Sequence, residues 1–271
     1  MKLAPMNYHY LRYPLTRFLD KVERSPFDSI DLYCSAPQLN IFDYSLSDLL
    51  TLDKEIRRRH LSVMAMTPEN CTYPVNFCTQ DRTTREASLR YYQRAIDTAA
   101  FLDCPKVQIS TGFGYFDAPR EEAWNYCRDS LRQLAVYCER KGVTLLLEEL
   151  KVTTTNVLIT SQDLAAMLDE ISSPAVVGMV DMDQMTYAGE TVDDYFTNLG
   201  SRLGHIHFND RGHTVPDDGD FPMKRYYDEI IAHGYEGSCS FEICDRRYYC
   251  DPDKAIDDLV HWLRENTHEL D

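Results

Sequence analysis

Eight short apolar runs, each followed by a longer segment of helical periodicity, constrain this chain more than any other feature of its sequence. The runs fall at 3–6, 29–34, 62–66, 106–111, 144–150, 176–182, 204–209 and 238–243. Each is rich in Val, Ile, Leu, Met or aromatic residues, the composition of strands covered on both faces. Between them the spacing predicts helices. In 161–171, Leu164, Met167, Leu168 and Ile171 recur at i, i+3, i+4 and i+7, the stripe a helix buries, and Ser161 stands where it can cap the N-terminus. The segment 82–104 is periodic up to Pro105, which cannot continue a helix. Further helices are expected at 121–141, 192–199, 223–233 and 253–265.

Eight strand–helix units with no remainder favour closure into a single (β/α)8 TIM barrel, an architecture that takes about 250 residues. The chain has 271 residues and no linker or low-complexity tract, so one domain over 1–271 is expected. An open doubly wound sheet would usually carry a glycine-rich phosphate loop after its first strand. Here that strand runs into Asn7-Tyr8-His9-Tyr10.

Charge and cysteine content narrow the partners. A net charge of −16 opposes binding to a phosphate backbone, which is held by clustered Lys and Arg, so no nucleic-acid partner is expected. Arg57-Arg58-Arg59 lies on a predicted helix, where it reads as a solvated face. No apolar run approaches the roughly 18 residues of a membrane span, and the N-terminal residues lack the apolar core of a secretion signal. The nine cysteines contain no C-x-x-C pair and read as reduced, mostly buried thiols. A cytoplasmic protein with no membrane partner is the expectation, and the aromatic residues of the predicted loops leave room for a homo-oligomer.

In a barrel the reactive groups stand at the C-terminal ends of the strands, and four of those ends carry candidates. The fifth strand ends in Glu148-Glu149, the sixth in Asp181, the seventh carries His205-Ile206-His207, and the eighth ends in Glu242. Glu148, Asp181, His207 and Glu242 are separated by 33, 26 and 35 residues, about one strand–helix unit each time. Taken singly, each has an ordinary structural explanation as an ion pair, a cap or a hydrogen-bonded core histidine. Together, three carboxylates at one rim would repel each other unless a cation compensated them. An oxygen-rich set with one imidazole and no thiolate suits Mn²⁺, Mg²⁺ or Co²⁺, with Mn²⁺ the first choice. Glu149 is the register alternative to Glu148, and pleating sends the two to opposite faces.

These residues resemble the metal-site pattern of the xylose-isomerase-like sugar isomerases and epimerases, most closely the fructoselysine and D-tagatose 3-epimerase groups. The resemblance covers nearly the whole chain. It extends to Thr67-Pro68-Glu69, Tyr73-Pro74 and Asn76 after the third strand, Asn156 after the fifth, and Pro216 with Gly219 after the seventh. It implies that Glu148, Asp181, His207 and Glu242 hold one divalent ion. Glu148 and Glu242 would also be the catalytic acid/base pair on opposite faces of a bound sugar. Glu69, Asn156, Gln184, His205 and His213 are implied around the substrate, with His205 orienting the site or the sugar. The chain departs from the tagatose-epimerase pattern in having Gln184 for a histidine, Thr154 for a glutamate and His213 for an arginine, which implies rebuilt contacts to the sugar hydroxyls.

Abstraction of a proton beside a carbonyl needs a cation to stabilise the enediolate and a base near the departing proton. A second base on the other face returns the proton with inversion. With this chemistry, the resemblance implies metal-dependent epimerisation of a ketose or ketose-amine at C3. An aldose/ketose isomerase or a hydroxypyruvate- or inosose-pathway enzyme on the same scaffold is the alternative. A DNA-repair endonuclease needs further histidines that the second to fourth strand ends do not supply. A non-catalytic sugar-binding protein would bind metal without turnover.

Overall fold

The computed structural model describes residues 1–70 and 75–270. Its strands are β1 (Lys2–Pro5), β2 (Ser29–Cys34), β3 (Ser62–Pro68), β4 (Lys106–Ile109), β5 (Thr144–Leu147), β6 (Val176–Asp181), β7 (Leu203–His207) and β8 (Ser238–Phe241). They form one sheet in the order β1-β8-β7-β6-β5-β4-β3-β2. A parallel bridge from Met6 to Asp31 links the β1 and β2 ends. The fold is the (β/α)8 TIM barrel expected from the periodicity.

The helices are α1 (Leu15–Glu23), α2 (Leu46–Arg57), α3 (Arg82–Phe101), α4 (Arg120–Lys141), α5 (Ser161–Ile171), α6 (Met182–Ala188), α7 (Val192–Leu199), α8 (Met223–Ala232) and α9 (Pro252–Asn266). Several boundaries differ from the sequence reading for local reasons. β6 was expected to reach Met182, but the chain turns into α6 directly after Asp181. α5 is capped by Thr160, whose hydroxyl accepts from the Asp163 amide at 3.1 Å. Ser161, the expected cap, is already helical and gives its amide and hydroxyl to Glu190 at 2.8 and 2.6 Å. α3 is capped by Asp81, which accepts from the Thr83 and Thr84 amides.

The chain divides into two compact units. The first comprises Met1–Ala65, Asp181–Asp183 and His205–Asp271. Its core includes Phe18, Leu19, Ile30, Leu32, Ile206 and Leu259, all buried. Phe208 packs edge-on against Phe241, with ring centroids 6.2 Å apart. Lys21 pairs with Asp257 at 2.5 Å, joining α1 to α9.

The second unit comprises Met66–Val180 and Gln184–Gly204. Val107, Ile109, Leu145, Leu146, Leu147, Leu164 and Met167 are buried in it. α7 approaches β6 closely because residue 178 is glycine: a Cβ there would lie 2.8 Å from Leu199 Cδ1. No helix among the described residues is long and apolar enough to cross a membrane.

Candidate active site

Strand alternation builds the polar cluster of the first unit. Pleating sends residues i and i+2 to the same face, so His205 and His207 of β7 share a face while Ile206 packs into the core. The same period puts Ser238 and Ser240 on one face of β8, and Glu242 follows directly after the strand. In the parallel register, His205 stands beside Ser238 and His207 beside Ser240.

His207 is the centre of the cluster. Its Nδ1 lies 3.1 Å from Glu242 Oε2 and 3.8 Å from Asp181 Oδ2. Its Nε2 lies 3.5 Å from Asp31 Oδ2. Asp181, His207 and Glu242 each offer a ligand atom within 4.8 Å of the others, and so do Asp31, His205 and His207. Asp181 also accepts the Asn209 amide at 2.5 Å, which leaves its carboxylate in one orientation.

His213 enters from the loop after β7. Its φ of +58° is left-handed, a conformation uncommon for a side-chain-bearing residue. Its Nε2 lies 3.4 Å from Asp181 Oδ2 and 3.5 Å from Glu242 Oε2, and its Nδ1 lies 3.6 Å from Asp183 Oδ2. The loop is organised by Asp210, a fully buried carboxylate. Asp210 accepts the backbone N–H groups of Arg211, Asp217, Gly219 and Phe221 at 2.7, 3.0, 3.2 and 2.9 Å. Gly219 is required there, since a Cβ would lie 2.2 Å from the carboxylate oxygen. Asp183 anchors the loop a second time by accepting the Gly212 amide at 2.9 Å.

The charges compensate one another. Burial alone would raise the Glu242 carboxyl, but the adjacent His207 and His213 hold it well below the usual carboxylate range. Burial would likewise lower His213, yet Asp181 and Glu242 keep it well above the ordinary imidazole value. Asp31 follows the same logic: burial opposes its charge, and His205 and His207 pull its carboxyl down.

In the second unit, Glu148 lies one residue beyond β5 and is buried. The Gln108 amide of β4 donates to its Oε2. Glu149 is fully buried and accepts the Tyr195 hydroxyl of α7. One glutamate is thus held by a neighbouring strand and the next by a helix.

The other expected residues take varied places. Gln184, on α6, accepts the Lys151 amide at 3.0 Å through its side-chain oxygen. Asn156 exchanges two hydrogen bonds with the Gly114 backbone at 2.8 and 3.0 Å. Asn76 gives its amide to the Phe113 carbonyl at 2.9 Å and accepts from Cys78 and Thr79. Glu69 accepts the Tyr91 hydroxyl through its backbone carbonyl at 3.0 Å. Both ring nitrogens of His205 face serine hydroxyls, Ser238 at 2.7 Å and Ser240 at 2.9 Å. Tyr73 and Pro74 lie outside the described residues.

Sequence reading missed Asp31, Asp183, Asn209 and Gln108. Two carried a signal. Asp31 is the one charged residue in the buried run Ser-Ile-Asp-Leu-Tyr-Cys of β2, and a buried carboxylate requires partners. Asn209 follows His207 by two residues, which continues the same face.

Comparison with known proteins agrees with this architecture. Fructoselysine 3-epimerase from Escherichia coli O157:H7 is 26% identical over 248 residues, covering 90% of each chain. The crystal structure of D-psicose 3-epimerase with D-tagatose from Clostridium cellulolyticum H10 superposes with a TM-score of 0.83 at 17% identity, covering 98% of each chain. That of 3-keto-D-glucoside 4-epimerase from E. coli also gives 0.83, at 18% identity, over 98% of this chain and 99% of that one. At such identities the superpositions speak for the fold alone. The profile that describes a xylose isomerase-like TIM barrel matches residues 19–266, and with nearly all of its strands and helices inside that match, the chain belongs to the xylose isomerase-like TIM-barrel family.

Proposed function

We propose that this chain is a divalent-metal-dependent sugar epimerase, acting at C3 of a ketose or ketose-amine such as a fructoselysine-like adduct. The observation that carries the reading is the trio Asp181, His207 and Glu242, a hard oxygen-and-imidazole donor set that fits a divalent cation. In this reading Glu148 is the fourth ligand, and Mn²⁺, Mg²⁺ or Co²⁺ fits the set, with Mn²⁺ the first choice. A bound ion would polarise the substrate carbonyl and lower the cost of removing the adjacent proton.

The chain's own groups supply the proton transfers. Glu148 and Glu242 are the acid/base pair, one taking the C3 proton and the other returning it on the opposite face. Gln108 keeps Glu148 oriented by donating to one oxygen. Glu148 is buried and the Glu242 side chain is only 15% exposed, so little bulk water competes at either group. His213, Gln184, Asn156, Glu69 and His205 complete the expected surroundings of the substrate. The 3-epimerase named among the relatives supports the choice of carbon. Free thiols at the described cysteines support a cytoplasmic setting. Exposed Tyr115 and Phe116 support a homo-oligomer.

The test is proton exchange followed by NMR in D2O, with Mg²⁺-loaded protein and a panel of free ketoses, fructoselysine and psicoselysine. Deuterium at C3 with appearance of the C3 epimer is expected. Exchange at C1 or C2 would make the enzyme an aldose/ketose isomerase, exchange at C4 would move the reaction along the sugar, and no exchange with any sugar would end the enzymatic reading.

A further inference from the structure

Ser238, His205, Ser240 and Asp31 form a hydrogen-bonded chain whose direction can be assigned. The Ser240 hydroxyl donates to Asp31 Oδ2 at 2.7 Å. A hydroxyl has one proton, so Ser240 must accept from His205 Nε2, 2.9 Å away. His205 then carries its proton on Nε2, and its Nδ1 accepts the Ser238 hydroxyl at 2.7 Å. Every donor in the series points toward Asp31. His205, Ser240 and Asp31 are fully buried, so no bulk water competes for these bonds. On its other side Asp31 meets His207 Nε2 at 3.5 Å, while Nδ1 of the same ring faces Glu242 and Asp181. The two nitrogens of one imidazole therefore face opposite requirements: Nε2 faces an acceptor, and Nδ1 faces the carboxylates that would share a cation.

We propose that Asp31 is a positioning residue for His207, held by the Ser238–His205–Ser240 chain, which keeps the proton on His207 Nε2 and leaves the Nδ1 lone pair for a divalent metal. This rests on the proposed function, because it needs a metal at Asp181, His207 and Glu242. It also explains the place of His205, which polarises Ser240 and through it fixes the carboxylate. Partners of this kind set the tautomer and ring angle of a metal-bound histidine, and their loss typically costs about 10–100-fold in metal affinity.

The experiment has two parts. Mn²⁺ binding is measured by calorimetry on wild type, Asp31→Asn and Ser240→Ala, each checked for a native circular-dichroism spectrum. Asp31→Asn keeps the shape but presents an amide that can donate to Nε2, and it is expected to bind Mn²⁺ about 10–100-fold more weakly. Ser240→Ala is expected to lose less, several-fold. In the second part, ¹⁵N-histidine-labelled wild type loaded with Zn²⁺, a diamagnetic probe, is expected to show the His207 proton on Nε2. This measurement stands even where a variant fails to fold. Equal Mn²⁺ affinity in wild type and Asp31→Asn, or a proton on Nδ1 of zinc-loaded His207, would overturn the positioning role and leave the proposed function intact. No divalent-metal binding by the wild type would overturn both.

Discussion

In the unit that includes His205–Asp271, the carboxylates Asp31, Asp181 and Glu242 stand beside imidazole rings, whereas in the unit that includes Met66–Val180, Glu148 and Glu149 stand beside an amide and a phenol. The first arrangement trades charge for charge, so the carboxyls of Asp31 and Glu242 are held low and His213 is held high. In the second, Gln108 and Tyr195 are neutral donors, which orient a carboxylate without cancelling its charge. A charge-compensated cluster responds to anything that changes the histidines. Loss of a neutral donor removes orientation and leaves the charge in place.

The contrast between the adjacent glutamates is expected to give the largest effect. Glu148→Gln should lower turnover by roughly 10²–10⁴, the usual contribution of a general acid or base, with little change in thermal midpoint. Glu149→Gln should leave turnover per folded molecule within a few-fold, since its partner is Tyr195 on a helix. Steady-state kinetics with melts of both variants decide it, and equal losses would erase the distinction between the two carboxylates.

Acid sensitivity sharpens the comparison next. Burial lowers His9, in the first unit, from 6.5 to about 4, against smaller raising contributions from the Ile243 and Pro252 carbonyls. The unfolded chain takes up that proton near pH 6.5 and the folded chain only near pH 4. Stability is therefore full above pH 6.5 and falls as pH drops toward 4, by about 3 kcal/mol at most. Denaturant titrations of wild type and His9→Gln between pH 7 and 4 isolate this component. Parallel slopes in the two proteins would show that His9 plays no part in the acid response.

Tyr195→Phe tests the neutral support directly. Loss of a hydrogen bond to a buried carboxylate should cost about 1.5–3 kcal/mol of stability while turnover persists. Thr160→Ala, which removes the α5 cap, should cost about 1 kcal/mol and leave Mn²⁺ affinity untouched. A change in affinity there would mean that the second unit's helices tune the site.

Much of this was legible because strand ends follow period and composition. The eight runs located every strand of the described residues, and the spacing of Glu148, Asp181, His207 and Glu242 followed from them. What escaped depended on partners distant in sequence. Asp31 lies on β2 and meets His207 and Ser240 only once the sheet closes, so no local pattern pairs them. Ser161 looked like a cap because serine commonly is one. The Asp163 amide instead reaches Thr160, and Glu190, 29 residues away, takes the Ser161 hydroxyl. The α6 helix was hidden because Met182 extends the apolar run of β6 by one residue.

The loop that carries His213 is wound around the carboxylate of Asp210 by backbone groups, with glycine at 212, where φ is +70°, and at 219, where a Cβ would meet the carboxylate. Its shape is therefore written largely in main-chain atoms. Such a loop can exchange the residue it presents, here a histidine, for another that accepts its left-handed backbone, so selection on substrate choice could act at one position while the scaffold beneath stays unchanged.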